Sequence, residues 1–366
     1  MKLKKTPLYE KHLQNNAKIV DFGGWALPLE YRSILGEAKF SRTGCGLFDV
    51  SHMGQILIAG KKAFGFLQYL TTNDISLISK GKLQYNLFIN EAGGIIDDCM
   101  IYNLGESFLC VVNASNKEKV LSWLIKRSDG NVIVTDKSDG FALISIQGPN
   151  SEKIVSEVFL SSLAELEYMH FIEEIIDKKE VIISRSGYTA EDGFEVYLNP
   201  KDACSFWDKL LEKGKDSILP CGLGARDILR IEAGYPLYGH ELDRFTNPYE
   251  ATLAWAIKVN KDFIAKGKIV KVNEEGLRKK RIGFIMQERI LVRKDYPIYS
   301  GSNQIGLVSS GTYSPNLNKF IGMAYIDIDY ANYNSIVDIE VRGKLYKAKI
   351  VKFPFIKERV KKIIHS

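Results

Sequence analysis

The sequence predicts an α+β protein of two or three domains, the last of them mostly β and barrel-like. Three observations predict it. The 366 residues exceed what one domain of roughly 150 residues usually holds. Up to about residue 265, helical and strand-like apolar patterns are interleaved. Beyond Lys266, short alternating strands with glycine turns take over: Ile282 to Met286, Gly306 to Ser309, Val337 to Val341 and, after Arg342-Gly343-Lys344, Leu345 to Val351.

Taken in order, residues 7 to 55 read as irregular and rich in turn signals, with Asp21-Phe22-Gly23-Gly24-Trp25 in a loop packed with aromatics. Gly46 to Gly54 opens as a strand at Leu47-Phe48-Asp49-Val50, and another strand follows at Gln55 to Ala59. His52, beside a strand end, is read as hydrogen-bonded to the backbone rather than as a general base. Met53 is either core or a soft wall for a flat ligand. Lys61 to Leu70 carries Ala63, Phe66, Leu67 and Leu70 at helical spacing. Gln84 to Asn90 and Phe108 to Asn113 are strands, and Glu118 to Lys126 is an amphipathic helix. Phe141 to Gln147 is an apolar strand closed by Gly148-Pro149-Asn150, with a helix to about Phe159 and a strand at Val181 to Ser184. Gly187 to Tyr197 is a turn-rich loop running into a strand, and Ala203 to Leu211 is helical up to a Lys213-Gly214 stop. Cys221 to Gly234 is a glycine-rich start to a helix. Arg226 falls near its N-terminus, where the macrodipole disfavours a cation. A partner for Arg226 is therefore expected, either a structural carboxylate or a ligand. Ser309 to Pro315 reads as a loop.

The stretch that organises the chain is Gly93-Gly94-Ile95-Ile96-Asp97-Asp98-Cys99-Met100-Ile101-Tyr102. The two glycines allow a tight turn back from the Gln84 to Asn90 strand. Alternation then sends Asp97 and Asp98 to opposite faces, with Tyr102 on the Asp98 face. A carboxylate inside such a strand is costly unless it is paired or put to use. A cap plus a structural ion pair is the plainer reading of these ten residues; a working carboxylate is the other.

Composition excludes several classes. A hydrophobic fraction of 45% and a charged fraction of 26% suit a folded soluble protein, and no apolar run approaches a membrane span. The basic Met1-Lys2-Leu3-Lys4-Lys5 has no hydrophobic segment after it, so a secretory signal is not expected. Cys45, Cys99, Cys110, Cys204 and Cys221 show no CxxC spacing, and His12, His52, His170, His240 and His365 no metal-ligand spacing. Neither disulfides nor a metal are expected, and a reducing cytoplasm fits. The net charge of +6 reads first as solvated surface, then as a face for an acidic partner or anionic ligand, and last as a nucleic-acid site. Triad motifs, a P-loop and a Rossmann fingerprint are absent. What remains is a set of acidic, aromatic and basic residues that suits a flat heteroaromatic ligand with polar edges.

At this point the sequence resembles a known family, the T proteins (aminomethyltransferases) of the glycine cleavage system. The resemblance rests on Thr6-Pro7-Leu8-Tyr9, Val20-Asp21-Phe22-Gly23-Gly24-Trp25, Phe48-Asp49-Val50-Ser51-His52-Met53-Gly54, Thr72-Asn73-Asp74 and Gly93-Gly94-Ile95-Ile96-Asp97-Asp98. It continues through Gln147-Gly148-Pro149, Gly187-Tyr188-Thr189, Gly222-Leu223-Gly224-Ala225-Arg226-Asp227 and Ser310-Gly311-Thr312-Tyr313-Ser314-Pro315. These segments come in the family's order and run nearly end to end.

The resemblance implies a three-domain cloverleaf around a folate channel. The first α+β domain covers 1–51 plus 140–265, a second α+β domain is inserted at 52–139, and a β-barrel-like domain covers 266–366. It implies a tetrahydrofolate-dependent transferase that takes the aminomethyl group from the lipoyl arm of H protein. The expected products are ammonia, reduced lipoyl H protein and 5,10-methylene-tetrahydrofolate. By the same resemblance Asp98 is the catalytic carboxylate, Glu195 and Arg226 hold the pterin, and Met53, Tyr85, Tyr102, Asn113, Tyr188 and Trp255 line the channel. Asp97 is assigned a structural role. No metal, nucleic acid or membrane is implied.

Two departures stand out. The family's Gly-Tyr-Thr-Gly-Glu reads Gly187-Tyr188-Thr189-Ala190-Glu191 here, and alanine disfavours a positive φ. An aromatic–Arg pair near the C-terminus reads Ile356-Lys357, which weakens any guanidinium contact there. Competing readings are relatives on the same fold that demethylate other small molecules and a folate-binding iron–sulfur assembly factor. The latter needs a reactive cysteine near Ala233 to Gly239, and this chain has none there.

Overall fold

A computed structural model describes residues 2–176 and 179–362. Met1 and His365 lie outside the described residues. The architecture is α+β, organised as three open sheets and one closed barrel.

The first part holds a three-stranded sheet, in the order Lys4–Lys5, Trp25–Glu30, Lys18–Phe22, and a six-stranded sheet. The six run Phe171–Ile176, Lys179–Ser184, Gly193–Leu198, Ala142–Gln147, Gly46–Asp49, Leu219–Pro220. The helices Ser151–Phe159 and Ala203–Gly214 cover one face of this sheet and bury Ile154, Val155, Phe206 and Trp207 against Leu47, Ile144 and Phe194. The other face meets the helix Leu223–Ala233, whose Ala225, Ile228 and Leu229 share a core with Phe48, Leu143 and Tyr197.

The second sheet runs Leu83–Ile89, Ile95–Asn103, Ser107–Val112, Gly54–Ala59, Ile133–Asp136. Its Gly93-Gly94 hairpin has a specific cause for each glycine. Gly93 sits at φ +90°, a conformation that costs a side chain. A Cβ on Gly94 would lie 1.9 Å from the Arg244 carbonyl oxygen. Asn90 Oδ1 accepts from the N–H groups of Ala92 and Gly94, at 2.9 and 3.1 Å, and closes the turn. The resulting register sets Asp98 opposite Leu87 and Met100 opposite Tyr85, so Tyr85 is the diagonal neighbour of Asp98.

The barrel closes as Lys279–Met286, Lys319–Asp327, Asn303–Ser314, Pro297–Ser300, Ile336–Val341, Lys344–Val351. Among the described residues no helix is long and apolar enough to cross a membrane.

Three local expectations fail. Residues 7 to 55 are not irregular: they hold the helices Tyr9–Gln14 and Ile34–Ser41 and the strands Lys18–Phe22, Trp25–Glu30 and Gly46–Asp49. The Asp21 to Trp25 stretch contains the turn of a hairpin, with Gly23 and Gly24 at φ +59° and +88°. Ile34–Ser41 is short and carries Gly36 in its first turn, so its pattern is weak; Ser33 Oγ caps it by accepting from Gly36 N at 3.3 Å. Ser309 to Ser314 is not a loop but the second half of a barrel strand. Its Gly and Ser serve close packing: a Cβ on Gly311 would meet the Val292 carbonyl at 2.5 Å, and one on Gly322 the Ser310 carbonyl at 2.4 Å. The helix Lys266–Glu275 also escaped the pattern, because Ile269 is its one buried residue.

Candidate functional site

Where the two large sheets and the Leu223–Ala233 helix converge, Met53, Met100 and Tyr102 of the second sheet's region pack with Tyr197 of the first and Ala225 of the helix. Tyr102 and Tyr197 form the joint, with ring centroids 5.5 Å apart and edge to face. The predicted residues sit around this junction.

Asp97 and Asp98 behave differently, as alternation requires. Asp97 is 0% exposed and accepts three hydrogen bonds. Oδ2 accepts from the Asn113 backbone N–H at 2.9 Å, and Oδ1 from the amides of Asn113 and Asn116 at 2.9 and 2.8 Å. Asp98 is half-buried. It accepts one bond on each oxygen, from Asn113 Nδ2 at 2.8 Å and from Tyr85 Oη at 3.1 Å, which leaves acceptor capacity on both. A single amide, Asn113 Nδ2, thus bridges the two carboxylates.

Burial raises the proton affinity of both acids. Asp97 goes well above the usual carboxylate range, through burial and then repulsion from Asp98. Asp98 is pushed up to about 6 by burial, with the Asn113 and Tyr85 bonds pulling the other way. The pair shares its protons as one unit. At about 6, Asp98 ionises near neutrality.

On the six-stranded sheet, Glu195 stands half-buried, flanked by Ser145 and Ser184 on the neighbouring strands. Glu195 Oε2 accepts from Ser186 Oγ at 3.0 Å. Burial raises the Glu195 carboxyl; the Arg226 charge and the Ser186 bond oppose this. Arg226 projects from the first turn of its helix. Its guanidinium lies 4.9 Å above the Tyr188 ring, and its Nη1 has no hydrogen-bond partner among the described residues. Of the two partners expected for Arg226, the protein supplies an aromatic face and the field of Glu195 but leaves Nη1 an unused donor. The Tyr188 hydroxyl donates to the Pro236 carbonyl, and its ring lies 5.7 Å from that of Tyr235. Tyr85 meets Trp255 with centroids 5.2 Å apart.

Most of the predicted set, Met53, Tyr85, Asp98, Asn113, Tyr188, Glu195 and Arg226, is half-buried. Two residues depart from expectation. Trp255 is 57% exposed and marks a rim rather than an inner wall. Tyr102 is 0% exposed, with its ring against Phe171 and Tyr197, so it stands behind the site and not on its surface. The backbone partner read for His52 is also missing at Nδ1, which is buried without a partner among the described residues. His52 packs edge-on to Phe22, and burial pulls it down to about 4, so it is neutral. Ser145 was missed. Its buried hydroxyl is unpartnered among the described residues and shares the Glu195 face. Only register could have revealed it.

The Ala190 departure is resolved. Ala190 adopts φ +59° in spite of its side chain. The loop is held by Arg42, which donates to the Thr189 carbonyl and Glu191, and by Arg359 N, which donates to the Ala190 carbonyl at 2.9 Å.

Comparison with known proteins agrees with this architecture. Residues 8–261 match the GCVT N-terminal domain, and residues 279–357 match the Glycine cleavage T-protein C-terminal barrel domain. The chain is 44% identical over 357 residues to an aminomethyltransferase of Halothermothrix orenii, covering 97% of this chain and 100% of the relative. It is 43% identical to one of Alkaliphilus metalliredigens, covering 98% and 99%. The crystal structure of glycine cleavage system aminomethyltransferase T from Bartonella henselae superposes with a TM-score of 0.92 at 34% identity, covering 98% of this chain and 99% of that one. On sequence, architecture and full-length coverage together, the chain belongs to the glycine cleavage T-protein family.

Proposed function

We propose that this aminomethyltransferase is tetrahydrofolate-dependent, acts in the cytoplasm, and takes the aminomethyl carbon from the lipoyl arm of an H protein. In that reaction the carbon loses its bonds to the lipoyl sulfur and to nitrogen and gains two bonds to folate nitrogens. The two displaced N–H protons leave with the lipoyl thiol and with ammonia, so no oxidant is needed. When bound, tetrahydrofolate supplies the nucleophilic nitrogens.

The residues present fit such a ligand. Among the described residues Glu195 is bonded only at Oε2, so Oε1 can accept from ring N–H and amino groups, and Arg226 Nη1 is an unspent donor for a ring carbonyl. Ser145 adds a hydroxyl beside Glu195 that is unspent among the described residues. Met53, Tyr85 and Tyr188 offer flat or soft apolar surface. Asp98 would orient the attacking amine by accepting from it, and would stabilise the positive charge that develops as ammonia leaves.

The observation that carries the reading is the pairing of an ionisable Asp98 with open acceptor sites and a Glu195–Arg226 set with unused valences. The test is ammonia release from aminomethyl-loaded H protein, with and without tetrahydrofolate, for the wild type and Asp98→Asn. Folate-stimulated release that falls by about a hundredfold or more in Asp98→Asn, with folate binding retained, is expected. No release from the wild type despite folate binding moves the donor to another methyl or aminomethyl compound.

A further inference from the structure

Behind Glu195 runs a line of buried hydroxyls that joins the two sheets. Tyr197 Oη lies 2.9 Å from Tyr102 Oη, which lies 3.1 Å from Ser184 Oγ. Ser184 Oγ lies 2.9 Å from Ser186 Oγ, and Ser186 Oγ is 3.0 Å from Glu195 Oε2. All four hydroxyl residues are buried. The carboxylate fixes the polarity of the line, because an ionised carboxylate can only accept. Ser186 therefore donates to Glu195, and its oxygen is open to Ser184. Ser184 then accepts from Tyr102, and Tyr102 accepts from Tyr197. Ser184 also lies 3.2 Å from the Glu195 carbonyl oxygen, which competes with Ser186 for the one Ser184 proton.

Tyr102 comes from the Ile95–Asn103 strand, which also carries Asp98 four residues earlier on the same face. Tyr197 and Glu195 share a face of the Gly193–Leu198 strand. The line therefore couples the strand that bears the proposed catalytic carboxylate to the strand that bears the proposed pterin carboxylate.

We propose that Tyr102 is a positioning residue: through Ser184 and Ser186 it holds Glu195 with Oε2 turned inward and Oε1 presented to the edge of the bound heterocycle. This rests on the reading that Glu195 recognises tetrahydrofolate. A chain of aligned hydroxyls strengthens its terminal bond, and a bond to a charged acceptor is the strong kind. Removing the Tyr102 hydroxyl leaves Ser184 free to turn wholly to the Glu195 carbonyl, and Ser186 loses its orienting donor.

The test is the dissociation constant of tetrahydrofolate, measured by calorimetry without oxygen, for the wild type, Tyr102→Phe, Ser186→Ala and the double variant. Steady-state kinetics run alongside, and thermal melts check the fold. Tyr102→Phe keeps the ring, and Ser186→Ala gives an independent cut nearer the carboxylate. The expected result is two- to fivefold weaker binding in Tyr102→Phe and about tenfold weaker in Ser186→Ala. The double variant should bind no more weakly than Ser186→Ala, and kcat at saturating folate should stay within about twofold of wild type. A purely structural tyrosine would lower the melting temperature and leave the two effects on binding additive; that result overturns the proposal. Unchanged binding in Tyr102→Phe overturns it while leaving the folate reading intact. A wild type that binds no tetrahydrofolate overturns both.

Discussion

Replacing Asn113 by alanine should move the acid limb of the activity profile up by about one to two pH units. Asn113 Nδ2 is the donor that bridges Asp97 and Asp98, and it gives one of the two protein bonds to Asp98. Hydrogen bonds to the ionised form favour that form, so deleting the donor raises the proton affinity of Asp98. A bond to a charged group contributes about 1.5–3 kcal/mol, and one pH unit corresponds to about 1.4 kcal/mol, so the rise is about one to two pH units. Starting from about 6, Asp98 would then titrate near 7 to 8. At pH 7 the ionised fraction falls from about nine-tenths to between a half and a tenth, so kcat/KM drops about two- to tenfold. At pH 9 most of the loss is regained, because the carboxylate is ionised in both proteins. The Asn113 main-chain bond to Asp97 survives the substitution, which limits damage to the strand. The assay is the pH profile of kcat/KM for folate-dependent ammonia release. An acid limb that stays in place, with activity lost equally at every pH, would refute the reasoning and return Asn113 to a packing role.

Two further outcomes concern stability. Asp98→Asn should stabilise the fold above about pH 6. A carboxyl raised from 3.8 to about 6 holds more protons folded than unfolded in that window, so its contribution falls as pH rises through it. The full difference is about 3 kcal/mol; solvent at this half-buried group reduces it to about 1–2 kcal/mol at pH 7.5, falling to about 0.5 kcal/mol or less at pH 4. Urea melts at the two pH values check it, and equal gains at both would contradict it. Ala190→Gly should alter stability by less than about 1 kcal/mol. Relief of about 1–2 kcal/mol at the positive φ is offset by about 0.4–1 of chain entropy and about 0.8 for the buried methyl. Ala190→Val keeps the strain and adds a β-branch, so its melt should come several degrees lower.

Much of the architecture was legible because periodicity reports burial. The Gly93-Gly94 hairpin, the Asp97–Asp98 alternation and the Leu223–Ala233 helix all follow from two-residue or helical spacing. Reading failed where glycine and serine serve packing rather than turning, as at Ser309 to Ser314, and where a helix buries a single residue, as at Lys266–Glu275. The site was legible as residue types and less so as positions. That Asp98 and Tyr102 share a strand face is visible in sequence; that the face is closed over Tyr102 by Phe171 and Tyr197 is not, because those residues come from another sheet. Ser145 and Ser184 carry no signal at all until register places them beside Glu195, and Ser186 none until its bond to Glu195 is seen.

The helix that carries Arg226 shows how the parts are held in place. Its buried charged residues reach different bodies of the protein. Arg230 pairs with Glu241 at 2.7 Å and donates to Ser310 of the barrel at 2.8 Å. Glu232 pairs with Arg42 of the Ile34–Ser41 helix C-cap at 2.8 Å and accepts from Ser314 and Asn316 of the barrel. Buried ion pairs are poor sources of net stability, since desolvation consumes most of their attraction. Their value is directional: each fails if the helix rotates or slides by a fraction of a turn. A cation at the first turn of a helix is unfavourable, and Arg226 is held there with a donor unspent. The contacts of Arg230 and Glu232 oppose any rotation of the helix that carries it. The barrel, which contributes none of the residues assigned to chemistry here, thus serves the site by fixing the rotation of the helix that aims Arg226.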